Sequence, residues 1–136
     1  MSSADLSLSE AVDRLRERDR RFGREAYPFV VAALAVAVER LPSERLRDPV
    51  RRHLTGPELL RAVVALARAE FGPLAATVFH EWGVLRGEDV GVIVFQLVGS
   101  GQLSARPEDR LEDFGGGPDL LRALGGRAAS PAGDAE

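Results

Sequence analysis

The sequence predicts a mainly α, compact single domain of five or six helices with a small C-terminal β-hairpin, in an order that suits a winged-helix-like arrangement. Three observations carry this expectation. Apolar residues recur at three- and four-residue spacing through most of the first hundred positions. Helix-stop and helix-start residues, among them Pro42, Thr55 with Glu58, Gly72-Pro73 and Gly83, divide those positions into segments of helical length. At 136 residues the chain is one domain's worth, long enough to bury roughly two thirds of its unfolded surface in a single core.

The elements follow in order. Residues 1–6 read as a disordered N-terminus, and either Ser7 or Ser9 can cap a first helix running to about Arg21. Leu8, Val12 and Leu15 form its apolar stripe, with Asp13 and Glu17 spaced to pair with Arg16 and Arg21 about one turn on. The next segment, Gly23 to Leu41, is apolar nearly all round from Phe29 to Val38, which predicts a core helix buried on most sides. Pro28 places its start near Ala26 or Tyr27, because proline is tolerated only in the first turn, and Pro42 stops it. Asp48-Pro49 then reads as the cap and first residue of a short helix.

Thr55-Gly56-Pro57-Glu58 has the spacing of a capping box, in which hydroxyl and carboxylate each satisfy a free amide at a helix start. The helix it opens reaches about Phe71, with Leu59, Leu60, Val63, Leu66 and Ala67 on one face and Arg61 and Arg68 opposite. Leu74 to Trp82 predicts a short helix ended by Gly83, and Glu88 or Asp89 opens another to about Val98. Leu103–Ala105 and Arg110–Phe114 pair in the expected hairpin around the turn-forming 106–109. Pro118 to Leu124 supplies one or two last helical turns, which gives a domain over 7–124 and a disordered tail over 125–136.

Composition excludes more than it assigns. The formal net charge of -3 predicts neither nucleic-acid nor membrane affinity, and it is unevenly spread. Residues 1–56 hold 11 arginines against 9 acids, whereas residues 57–136 hold 7 against 12. All 18 basic residues are arginine, and asparagine and cysteine are absent, the pattern of a GC-rich coding sequence more than of selection for guanidinium chemistry. Without cysteine there are no disulfides, thiolate nucleophiles or cysteine-based zinc sites. The N-terminus has no apolar core of signal-peptide length and no run approaches the ~20 apolar residues of a membrane span, so a soluble, cytoplasmic protein is expected.

No catalytic constellation emerges. His53 and His80 are the only histidines; His80-Glu81-Trp82-Gly83-Val84 lacks the second histidine of a metalloprotease helix, and no serine sits in a G-x-S-x-G elbow. Neither metal nor cofactor is expected, and the protein is read as a non-enzyme. In a winged helix the second helix reads DNA, yet Gly87 to Leu103 carries only Glu88 and Asp89 as charged side chains. Nucleic-acid binding, if any, then falls to the arginine-rich segment with Arg14, Arg16, Arg18, Arg20, Arg21 and Arg24, itself diluted by Asp13, Glu17, Asp19 and Glu25. The favoured reading is a protein–protein interaction module, with a protein partner or a second copy as its target. Trp82 is its candidate anchor, because interfaces favour tryptophan.

One set of positions points further. Arg21-Phe22, Ala26-Tyr27 and Phe29-Val30, then Arg52-His53 with Gly56, Glu58 and Leu59, then Phe71-Gly72, Val78, Trp82-Gly83, Asp89, Gly91, Val94-Phe95 and Leu97-Val98 stand in a fixed order over about residues 18–114. Through them the chain resembles a family of short bacterial proteins, conserved and functionally uncharacterised. The family pattern has tyrosine where this chain has Phe22. The resemblance implies that these positions act together, and it marks Arg21, Phe22, Tyr27, Arg52, His53, Glu58, Trp82 and Asp89 as candidate interaction residues.

Overall fold

The computed structural model describes residues 3–48, 54–103 and 119–125, with side chains from residue 8 onwards. The described residues are mainly helical: α1 (Ser3–Arg18), α2 (Ala26–Glu39), α3 (Ser43–Leu46), α4 (Gly56–Phe71), α5 (Ala75–Trp82), α6 (Gly87–Gly99) and α7 (Leu120–Ala123). No strand occurs among them, and the expected hairpin lies outside them except for Leu103, which is not extended. The tail beyond Gly125 and the expected Pro49 helix also lie outside; the short helix observed there is α3, which opens directly after Pro42.

Two boundaries differ from the sequence reading. Residues 3–6 are helical, and α1 ends at Arg18 instead of continuing to Arg21. The chain turns back over residues 19–25, so the ion pairs of helical spacing do not form. Arg24 instead reaches back to α1, its Nε donating to Asp13 Oδ1 (2.9 Å) and its Nη2 to Ser9 Oγ (2.6 Å). Arg16 Nε donates to the Phe22 carbonyl (3.1 Å). These bonds dock α1 beside Val12, its one deeply buried side chain among those described.

The core is formed by Phe22, Tyr27 and Val30 of the α2 region with Val63 and Ala67 of α4, Phe79 of α5, and Val90, Ile93 and Leu97 of α6. Leu120 and Leu124 close it from α7, which Asp119 caps through the amide of Leu121 (3.0 Å). The Thr55 box forms as its spacing predicts, with the Glu58 amide donating to Thr55 Oγ1 (3.2 Å) and the Thr55 amide to Glu58 Oε1 (2.8 Å).

By length and mean hydropathy the stretch Gly56–Trp82 is long and apolar enough to cross a membrane, which the sequence reading did not expect of any run. In the fold it is bent. Gly72 adopts φ +53, and the rings of Phe71 and Trp82 meet edge to face at 5.8 Å. Eleven residues of straight helix would separate their backbones by about 16 Å.

Candidate functional site

Five of the eight residues singled out by the sequence converge on the junction of α2, α5 and α6. Arg21 and Phe22 sit in the turn before α2, and Gly23 donates its amide to the Trp82 carbonyl (2.9 Å), pinning that turn to the end of α5. Asp89 is buried at 2% exposure in the first turn of α6. Its Oδ2 accepts the amides of Leu85 (2.9 Å) and Arg86 (3.0 Å), while its Oδ1 accepts Arg21 Nη2. The Arg21 guanidinium lies 4.8 Å from the centre of the Phe22 ring, within cation–π range.

A second polar thread runs alongside. Tyr27 donates its hydroxyl to Gln96 Oε1 (2.7 Å), Gln96 Nε2 donates to Asp19 Oδ2 (3.2 Å), and Asp19 Oδ1 accepts the Arg21 amide (2.9 Å). Burial pushes the Tyr27 hydroxyl above its usual range, with Asp19 adding to the rise and Arg16 opposing it. Tyr27 is the only tyrosine, so its ionisation can be read directly. The expected result is a tyrosinate absorbance that appears only above pH 10, with stability falling as pH rises past the unfolded value because the folded state holds the proton longer. A transition centred at or below pH 10 would contradict the buried Tyr27–Gln96 bond.

Trp82 is half-buried, and its ring packs against Phe79 (5.3 Å), Phe29 (5.4 Å) and Phe71 (5.8 Å). The Asp89 carboxylate, the Tyr27 hydroxyl and the Gln96 amide are each engaged within the fold. A carboxylate that accepts two amides and a guanidinium has little capacity left for a substrate, and a tyrosine in a hydrogen-bonded core is no exposed acid. These bonds tie the turn before α2 to the end of α5 and the start of α6. Arg21, Phe22, Tyr27, Trp82 and Asp89 meet where α2, α5 and α6 join.

Glu58 lies elsewhere, and Arg52 and His53 lie outside the described residues. Glu58 receives two bonds from Arg45 of α3, Nη1 to Oε2 and Nη2 to Oε1, both 2.6 Å. The Arg45 guanidinium beside it holds the Glu58 carboxyl down at about 2, helped by the Thr55 amide and hydroxyl. The folded value is depressed, so the stabilisation is complete above the unfolded glutamate range and is lost as pH falls from about 4.5 toward 2. Glu58→Gln is accordingly expected to lower the melting temperature at pH 7 but not near pH 2. An equal loss at both pH values would show that charge is not what binds Glu58 to Arg45.

Glu58 also marks the end of an apolar groove of about 450 Å³ between α2 and α4. The helices run antiparallel: Phe29 stacks on Phe71 (5.6 Å) at one end, while Arg40 and Leu41 face Glu58 and Leu54 at the other. The groove walls are Val36 and Ala37 on one side and Ala62, Ala65, Leu66 and Ala69 on the other. Here the sequence expectation for α2 is corrected. Only Ala26, Tyr27, Val30 and Ala33 of that helix are fully buried, Ala32 and Ala35 are exposed, and Val31, Leu34 and Val36–Val38 are half-covered. The physical reason is supply of partners: α4 and α6 make the main contacts with α2, and its remaining side is left only partly covered.

Two other expectations meet the structure here. α6 places Val90, Ile93 and Leu97 in the core, and its fully exposed positions are Glu88 and Gly99, which leaves it no cationic face for DNA. Of the six N-terminal arginines, Arg16, Arg21 and Arg24 are engaged within the fold. Among the described residues no group of three or more histidine, aspartate or glutamate side chains is placed to hold a metal ion. The chain matches no family model, no curated protein and no solved structure.

Proposed function

We propose that the protein is a non-enzymatic interaction module whose docking face is the groove between α2 and α4. The single observation that carries this reading is the half-covered apolar side of α2, a helix of core composition left facing solvent along a cleft. A contiguous apolar surface of this kind marks a binding site more often than scattered exposed side chains do. The nucleic-acid alternative, a winged-helix-like binder using the arginine-rich segment, has weaker support, since half of those arginines bond to the protein itself.

The test adds bulk without charge. Ala62→Gln with Ala65→Gln keeps good helix formers at both positions while filling the groove. Cross-linking in the native host is expected to recover a partner with the wild type and not with the double variant, at unchanged melting temperature. Equal recovery by both proteins would remove the groove as the docking face.

A further inference from the structure

We infer that the groove receives an amphipathic helix bearing acidic residues at one end, seated with that end between Arg40 and Arg61. This rests on the interaction-module reading and adds the partner's chemistry and direction.

The shape favours a helix. From Glu58 to Ala69 the α4 wall extends about 16 Å, three helical turns. Alanines at 37, 62, 65 and 69 leave room for a helix backbone to come close, and an incoming helix would lie as a third member against an antiparallel pair. The cleft is open along its length. A small ligand needs most of its surface enclosed, whereas a docked helix needs only its apolar face covered.

The charge gives the direction. Arg40 on the α2 rim and Arg61 on the α4 rim flank the same end of the groove, both exposed, and neither side chain meets an acid among the described residues. Glu58 sits between them, but both its oxygens are taken by Arg45. That end therefore presents to the groove two guanidinium groups that no described acid contacts. The lining of the other end, Ala65, Leu66 and Ala69, carries no charge. An apolar helix entering this cleft gains at the Arg40 end from aspartate or glutamate and is repelled there by lysine or arginine, a selection on register and partner more than on raw affinity. A second copy fits less well. Arg61 and Arg68 are seven residues apart on one edge of α4, and a two-fold antiparallel pairing of that face sets them against each other.

The experiment is a display selection of random 16-residue peptides against the full chain, repeated with Arg40→Glu/Arg61→Glu and with Ala62→Gln/Ala65→Gln. Both arginines are exposed, so the charge reversal is expected to leave the circular dichroism unchanged, with a small fall in melting temperature because Arg40 stands at the C-cap of α2 and Arg61 one turn from Glu58. The wild type should enrich peptides with apolar residues at i, i+4 and i+7 and acids clustered at one end. The charge-reversed protein should bind those peptides at least tenfold more weakly and enrich basic ones. Peptides that need an open groove but show no acidic bias would overturn the acidic helix and leave the interaction module standing. Peptides indifferent to the glutamine pair would overturn both readings. Failure to enrich any peptide would overturn the acidic helix.

Discussion

Gly83→Ala is expected to lower the stability of the fold by about 3 kcal/mol, the sum of a left-handed backbone strain and a backbone collision. Gly83 ends α5 at φ +78, with the two hydrogen bonds of a Schellman closure, its own amide to the His80 carbonyl (3.0 Å) and the Val84 amide to the Phe79 carbonyl (3.0 Å). An alanine there forfeits about 1–2 kcal/mol through its side-chain carbon alone. That carbon would also stand 2.6 Å from the Arg21 carbonyl oxygen. Such an oxygen cannot swing aside as a side chain can. The neighbouring Gly23 amide is bonded to the Trp82 carbonyl and the Arg21 amide to Asp19, so moving it disturbs the whole α2 entrance.

Gly101→Ala provides the internal control, because Gly101 has φ +84 but open space around it. Its expected loss is the strain alone, about 1–2 kcal/mol. Urea unfolding of both variants measures the difference, read as a fall in midpoint at constant slope. Equal losses would mean that the Arg21 turn does not press on Gly83.

The end of α5 shows why part of this fold was legible and part was not. A helix followed by Gly83, a capping box at Thr55 and a stop at Pro42 are local signals, and each boundary falls where its chemistry places it. Asp89 was legible as a first-turn acid that favours a helix N-terminus. Its larger role was not, because the guanidinium it accepts belongs to Arg21, 68 residues earlier in the chain. Arg24 similarly bonds Asp13 across the turn that ends α1, where helical spacing had offered Arg16 as the partner. Periodicity reports which faces want cover without saying how much partner surface exists. For α2 that distinction is the groove: ten apolar positions in a row predict burial, and the fold leaves one side only partly covered. Periodicity puts Arg61 on the polar face of its helix, but only the pairing of α2 with α4 brings it to the same end as Arg40.

Removing the Asp89 carboxylate has the other large expected effect, about 3 kcal/mol for Asp89→Ala. The ion pair with Arg21 supplies the smaller share. The Arg21 side chain is 44% exposed, so water screens the attraction and Arg21→Ala alone is expected to lose no more than about 1 kcal/mol. The larger share lies in the amides of Leu85 and Arg86, which turn the chain from α5 into α6 and both donate to Asp89 Oδ2. Without that oxygen two donors beside a buried site lose a charged acceptor at once, at about 1–3 kcal/mol each before water recovers part of the loss. Asp89→Asn separates the contributions. Its carbonyl oxygen can still accept the two amides, but its NH2 then faces the Arg21 guanidinium, donor against donor, for an expected loss of about 2 kcal/mol. Removing Arg21 relieves that conflict, so Asp89→Asn with Arg21→Ala should be more stable than the sum of the single losses requires. The double-mutant cycle is measured by urea unfolding. Strict additivity would show that Arg21 and Asp89 are not coupled, and a loss below about 1 kcal/mol for Asp89→Ala would show that the carboxylate does not organise the turn into α6.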